Sequence, residues 1–119
     1  KDKEVELYKY YFNNVYCEAK RDFIYSGDVC RIISLLIEMD LKPDIYNVGT
    51  GKEIKFSELI IKAYENLNLN SKIKFVDLPE KYHNKYQMFT KASTKKLLGL
   101  LRNFTFTDHK KSIKNILWK

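Results

Sequence analysis

The chain has 119 residues, 45% of them apolar and 14% aromatic, which is enough for one domain around a modest core and too apolar for a disordered tail. Lys and Arg outnumber Asp and Glu by 22 to 15, for a net charge of +7. The lysines are scattered, without the runs of about five or six like charges that mark an interaction tail, so the excess reads as compositional bias and nucleic acid is not the expected partner.

No apolar run approaches the roughly 20 residues that cross a bilayer, so no membrane partner is expected. The charged opening Lys1-Asp2-Lys3-Glu4 leads into no signal-peptide core. Cys17 and Cys30 are too few for a disulfide framework and lack zinc spacing, which fits reduced thiols in the cytoplasm. A start without Met fits a chain cut from something longer.

Val5 to Tyr16 is rich in Tyr and β-branched residues and predicts a strand. Arg21 to Tyr25 predicts a short strand. Asp28 then caps a helix whose apolar face is Val29, Ile32, Ile33, Leu36 and Ile37. Lys42-Pro43-Asp44 breaks the chain, Ile45 to Val48 predicts another strand, and Gly49-Thr50-Gly51 closes it.

Ser57 caps a second helix, with Phe56, Ile60, Ala63, Tyr64 and Leu67 on one side. Asn68 to Ser71 is a polar turn, Ile73 to Val76 a strand and Pro79 to Lys85 a polar loop. Thr94 to Leu101 predicts a short helix, interrupted or ended near Gly99. Phe104-Thr105-Phe106 is extended, and Thr107 or Asp108 starts a last helix that buries Ile113, Ile116 and Leu117. Alternating short strands and helices give an α/β or α+β class, a small mixed sheet with helices that leans on another domain.

Taken alone, the candidate chemical motifs are weak. Gly49-Thr50-Gly51 lacks the third glycine of a dinucleotide fingerprint and reads as a tight turn. Tyr16 and Lys20 have the Tyr-x-x-x-Lys spacing that puts a phenol and an ammonium on one helix face. The Arg21 strand begins at once, however, and leaves little room for that helix. His83 and His109 lie far apart with no Cys or carboxylate at ligand spacing, so no metal site is expected. Asp22 and Asp28 could form an acid pair, but Asp28 is better read as a cap. Lys9-Tyr10-Tyr11-Phe12 and Lys81-Tyr82-His83-Asn84-Lys85-Tyr86 interleave cations with rings as single-strand nucleic-acid platforms do, which keeps a basic nucleic-acid-binding module as the rival reading.

Together the motifs say more. Arg21-Asp22-Phe23-Ile24-Tyr25-Ser26-Gly27-Asp28-Val29 resembles the R-D-F-V-Y-V-x-D-V segment of extended short-chain dehydrogenases that act on nucleotide sugars. Tyr46-Asn47-Val48-Gly49-Thr50-Gly51 resembles their Y-N-x-G-T-G turn, and Phe56-Ser57-Glu58-Leu59 falls where they begin a helix. Lys85-Tyr86-Gln87-Met88-Phe89-Thr90-Lys91-Ala92 is similar to the R-Y-Q-x-F-T-x-A stretch of the ADP-L-glycero-D-manno-heptose 6-epimerase branch, and Val76 to Lys81 to its proline-containing approach. The resemblance runs from Lys20 to Trp118. Ser93 stands where that branch has an acid, and the stretch between Tyr8 and Arg21 is longer than its loop. Tyr11-Phe12-Asn13-Asn14-Val15-Tyr16 faintly resembles a motif that should lie further upstream.

The resemblance implies the C-terminal substrate-binding lobe of such an enzyme, with residues 1–19 an N-terminal junction and 20–119 the sugar-nucleotide-binding lobe. It implies NADP as cofactor, held by a Rossmann half that this sequence does not contain, and an ADP-heptose or related nucleotide sugar as ligand. In that family the sugar is oxidised transiently at C-6 and the hydride returns to the opposite face. The proton work is done by a Tyr/Lys pair in the other half, so no catalytic or cofactor-binding residue is assigned here. Arg21 matches the arginine that meets the diphosphate, a role that suits a guanidinium fork. The alternative for Arg21 is a structural salt bridge with Asp22 or Asp28. Tyr86 matches a substrate-contacting tyrosine, and Tyr8 falls near an aromatic before the substrate loop. The resemblance also implies a homo-oligomer and a Rossmann half in the same or a separate chain. An exposed apolar face on the lobe follows from the need to pack on that half.

Overall fold

A computed structural model describes residues 4–118. The predicted first strand is a hairpin, β1 (Val5–Phe12) and β2 (Val15–Glu18), paired antiparallel with Phe12 opposite Val15. Asn13 and Asn14 form its turn with φ of 48° and 61°. Two successive positive φ values are what a two-residue turn matched to strand twist requires, and Asn tolerates them best after Gly. This hairpin accounts for the long stretch between Tyr8 and Arg21.

On its other side β1 pairs in parallel with β5 (Ile73–Asp77), Tyr8 opposite Val76, giving a three-stranded sheet of order β2-β1-β5. A second, two-stranded ladder joins β3 (Lys20–Arg21) to β4 (Ile54–Lys55). The far edge of β3 is taken by the segment around Phe89: Lys20 N donates to Met88 O at 2.8 Å and Thr90 N to Lys20 O at 3.3 Å.

Four helices follow the sequence pattern closely: α1 (Ser26–Glu38), α2 (Phe56–Asn66), α3 (Lys95–Leu100) and α4 (His109–Leu117). Their start signals differ from expectation in two cases. Tyr25, not Asp28, is the N-cap residue of α1, and Lys55, not Ser57, precedes α2. For α2 the cap comes from elsewhere in the chain: Glu18 Oε1 accepts from Ser57 N at 2.8 Å. A carboxylate satisfies an orphan amide and faces the positive end of the helix dipole, so a strand residue does the capping. The last helix starts as expected, with the Asp108 carboxylate accepting from Lys110 N.

Two predicted strands shrink or disappear. The ladder stops at Arg21, after which the chain turns into α1. Residues 45–48 pair with no described strand; Lys96 Nζ donates to Ile45 O at 2.9 Å and Asn47 Nδ2 to Ser93 O at 3.5 Å in place of a ladder.

The core is small. Ile32, Leu97 and Leu101 are buried, with Ile24, Leu36, Met39, Tyr46, Phe104 and Phe106 packed around them. On α1 the expected apolar face therefore splits: Ile32 is 0% exposed, whereas Ile33 is 49% and Ile37 78% exposed. On α4, Ile113 is half-buried, but Ile116 and Leu117 are exposed rather than buried, because α2 covers only one flank of that short helix.

The radius of gyration is 17.4 Å with extents of 49 × 37 × 20 Å. An independently packed domain of this length has a radius of about 13–14 Å, so the molecule is a slab with large uncovered faces.

One internal tie crosses the slab. Asp28, 1% exposed, accepts from Thr107 N and Thr107 Oγ1, both at 2.7 Å, and from Arg31 at 3.1 Å. Asp28→Ala would leave the part-buried Thr107 amide and hydroxyl unpaired, at a cost of about 2–4 kcal/mol. A lower urea midpoint, with amide exchange accelerated over residues 104–117, is the expected result.

Candidate substrate site

Arg21 ends β3, and its neighbours come from distant parts of the chain. The guanidinium carbon lies 5.7 Å from the Phe56 ring and 5.8 Å from the Tyr86 ring, and Nη1 donates to Lys20 O at 2.9 Å. Tyr86 in turn meets Tyr8 edge-to-face at 6.2 Å. The three residues matched to substrate contact, Arg21, Tyr86 and Tyr8, thus form one continuous cluster, with Phe56 added to it. Tyr8 is 42% exposed, so the cluster opens to solvent. The largest clefts lie elsewhere, one of about 550 Å³ between Thr50 and the Phe104–His109 segment, and none has Arg21, Tyr8 or Tyr86 in its wall.

The salt-bridge alternative for Arg21 is not what the geometry shows. Among the described residues Arg21 pairs with no carboxylate, because each nearby acid is engaged elsewhere. Glu18 caps α2 and Asp28 holds Thr107. Asp22 accepts from Thr50 N at 2.8 Å, Thr50 Oγ1 at 2.6 Å, Gly51 N at 2.9 Å and Ala92 N at 3.0 Å. Asp22, the first residue past β3, turns to partners other than those around Arg21.

Asp22 also explains why the sequence motifs occur in register. One carboxylate clasps the Gly49-Thr50-Gly51 turn and the end of the Tyr86–Ala92 stretch. Burial pushes its pKa up, but the Thr50 hydroxyl and the amides of Ala92, Thr50 and Gly51 outweigh that and hold it below the usual Asp value. Gly49 is required by close approach, since a Cβ there would run into Ala92 Cβ and the Asp22 carboxylate. Gly51 has φ of +72°, a conformation that side chains resist. The glycines serve this clasp: the Thr50 and Gly51 amides point at Asp22, so the turn does not offer them to a phosphate. The Gly49-Thr50-Gly51 turn is therefore a tight turn built around Asp22.

Tyr16 lies on β2 and Lys20 on β3, not together on a helix. Burial first, then Glu18 and Tyr11, raise the Tyr16 pKa, the opposite of what a proton-transferring phenol needs. His83 Nε2 sits 2.6 Å from Leu78 O with Tyr10 against its ring, and His109 Nε2 sits 3.1 Å from Phe23 O. Both histidine rings bond to backbone carbonyls, and no cluster of three metal-ligating side chains occurs among the described residues. Among the described residues no helix is long and apolar enough to cross a membrane.

Residues 3–49 match the sequence model of the NAD dependent epimerase/dehydratase family. An ADP-L-glycero-D-manno-heptose-6-epimerase of Fusobacterium nucleatum is 37% identical over 86 residues, covering 67% of this chain. A protein of the same name from Brachyspira hyodysenteriae is 36% identical over 77 residues, and one from Nitratidesulfovibrio vulgaris 34% over 77. The chain belongs to the NAD dependent epimerase/dehydratase family.

The fold agrees with that membership. This epimerase-family chain superposes on the Bordetella bronchiseptica enzyme WbmH, crystallised in complex with NAD+, with a TM-score of 0.65 at 16% identity, over 94% of this chain and 33% of that one. It spans about a quarter of the length of the curated relatives, 26% of the Fusobacterium protein and 24% of the other two. Phe56 and the Asp22 clasp were not singled out as functional in the sequence. Only the helix-start motif at Phe56 and the fixed spacing from Asp22 to the Gly-Thr-Gly turn hinted at them.

Proposed function

We propose that this chain is the C-terminal, substrate-holding part of an ADP-L-glycero-D-manno-heptose 6-epimerase of lipopolysaccharide inner-core synthesis, working in the cytoplasm. The observation that carries the reading is Arg21, paired with no carboxylate among the described residues and bracketed by aromatic rings, in a chain whose relatives bear that name. A guanidinium in that state has in-plane donors left for the oxygens of a nucleoside diphosphate. Tyr86 offers a ring and a hydroxyl beside it, and Tyr8 extends the surface along β1.

The redox chemistry and its NADP belong, on this reading, to a Rossmann half in the same or a separate polypeptide. The exposed stripe of Ile33 and Ile37 on α1, with Ile45 at 84% exposed, is the surface that half would cover.

Titration of the 119-residue chain with ADP, UDP, GDP and dTDP tests the proposal. ADP should bind tightest, and added NADP with ADP-heptose should give no turnover. Preference for UDP would favour a different nucleotide-sugar epimerase. Turnover by this chain alone would defeat the division of labour. Salt-steep binding to single-stranded nucleic acid in place of ADP would favour the basic-module reading.

A further inference from the structure

We infer that Phe56 is a positioning residue for the diphosphate site, acting through Arg21. The inference rests on the proposed role of Arg21 and adds a residue to it. An arginine side chain has many rotamers, and a fork pairs with two phosphate oxygens only if its plane is already set. The structure supplies that setting from both edges of β3.

Phe56 comes from the β4–α2 edge, where Arg21 pairs with Ile54, and Tyr86 comes from the segment that docks on the opposite edge through Met88. Their rings lie 5.7 and 5.8 Å from the guanidinium carbon, within cation–π range. The bond from Nη1 to Lys20 O fixes the third side.

Phe56 is itself held. It opens α2, its amide reaches Ala19 O at 3.4 Å, and the Phe23 ring meets it edge-on at 5.4 Å. Rings do not consume N–H donors as a carboxylate would, and Lys20 O is the one acceptor bonded to the guanidinium among the described residues.

The test uses the whole chain with ADP as probe and adenosine as the ligand lacking phosphate. Phe56→Leu should weaken ADP about three- to fivefold, the scale of one partly exposed cation–π contact, and leave adenosine unchanged. Phe56→Trp should restore ADP affinity. Ile60→Ala, one turn along α2, removes packing without touching Arg21 and should leave ADP affinity unchanged.

The Arg21 Nε–H order parameter provides a readout that needs no ligand: ordered in the wild type and in Phe56→Trp, loosened in Phe56→Leu. Equal Arg21 mobility in wild type and Phe56→Leu, or equal ADP losses in Phe56→Leu and Ile60→Ala, would overturn the inference. An ordered Arg21 in a chain that binds no nucleoside diphosphate would remove the proposed function but leave the clamp standing.

Discussion

Asp22→Ala is expected to lower the unfolding free energy by about 3–4 kcal/mol, the largest stability loss of any single substitution considered. The carboxylate accepts four hydrogen bonds from two separate parts of the chain, and Ala leaves three amides and a hydroxyl without it. Asn should do little better, since its amide group would face N–H donors. Thr50→Val removes only the hydroxyl and should cost about 1 kcal/mol. Urea denaturation at neutral pH measures all three.

The pH dependence follows from the same bonds. The folded-state pKa of Asp22 is lowered. Its contribution is therefore fully present above the unfolded Asp value of about 3.9 and is lost as pH falls through the folded value. Wild-type stability should fall on that acid limb, and the fall should be shallower in Asp22→Asn.

Arg21→Ala is expected to have the largest effect on binding. If its fork makes charge-assisted bonds to a diphosphate, loss of about 1.5–3 kcal/mol follows, roughly ten- to a hundredfold in ADP affinity. Lys keeps the charge but not the planar fork and should fall between. Stability should change little in either variant, because the side chain is partly exposed and is in no ion pair among the described residues. Isothermal titration with ADP and adenosine, alongside thermal melts, separates the two effects. An Arg21→Ala chain that binds ADP as well as the wild type would count against the diphosphate role.

How much of this could be read in the sequence depends on the range of each interaction. Helix positions were legible because the periodicity of Val29, Ile32 and Leu36 is local, and the Asp108 cap bonds only two residues ahead. The cap of α2 was not, because Glu18 is 39 residues from Ser57. The Asn13-Asn14 turn left a local signal in two residues that tolerate positive φ, although the segment reads as one strand. Ile45–Val48 has strand chemistry but pairs with no described strand, so propensity alone misleads there. The exposure of Ile33, Ile37, Ile116 and Leu117 follows the same logic: apolar spacing marks a face for burial without saying which molecule covers it.

The site residues were legible only through motif spacing. Tyr8, Arg21 and Tyr86 share no local pattern, yet Asp22 and the Lys20 backbone draw the later stretch onto β3. Phe56 carried a packing signal, and its position over Arg21 is a tertiary fact.

The parallel pairing of β1 with β5 has a kinetic consequence. Its partners lie 68 residues apart, as in the Glu6–Lys74 pair. Closing such a loop costs roughly 2–3 kcal/mol more entropy than closing a tight hairpin. The β1–β2 hairpin can therefore form early, within microseconds, whereas the β1–β5 register must wait for the helices between them. Tyr8 meets Tyr86 only once that register is closed, so the ligand surface should be among the last features to mature during refolding. A ligand that bridges the two tyrosines would then slow unfolding more than it speeds folding.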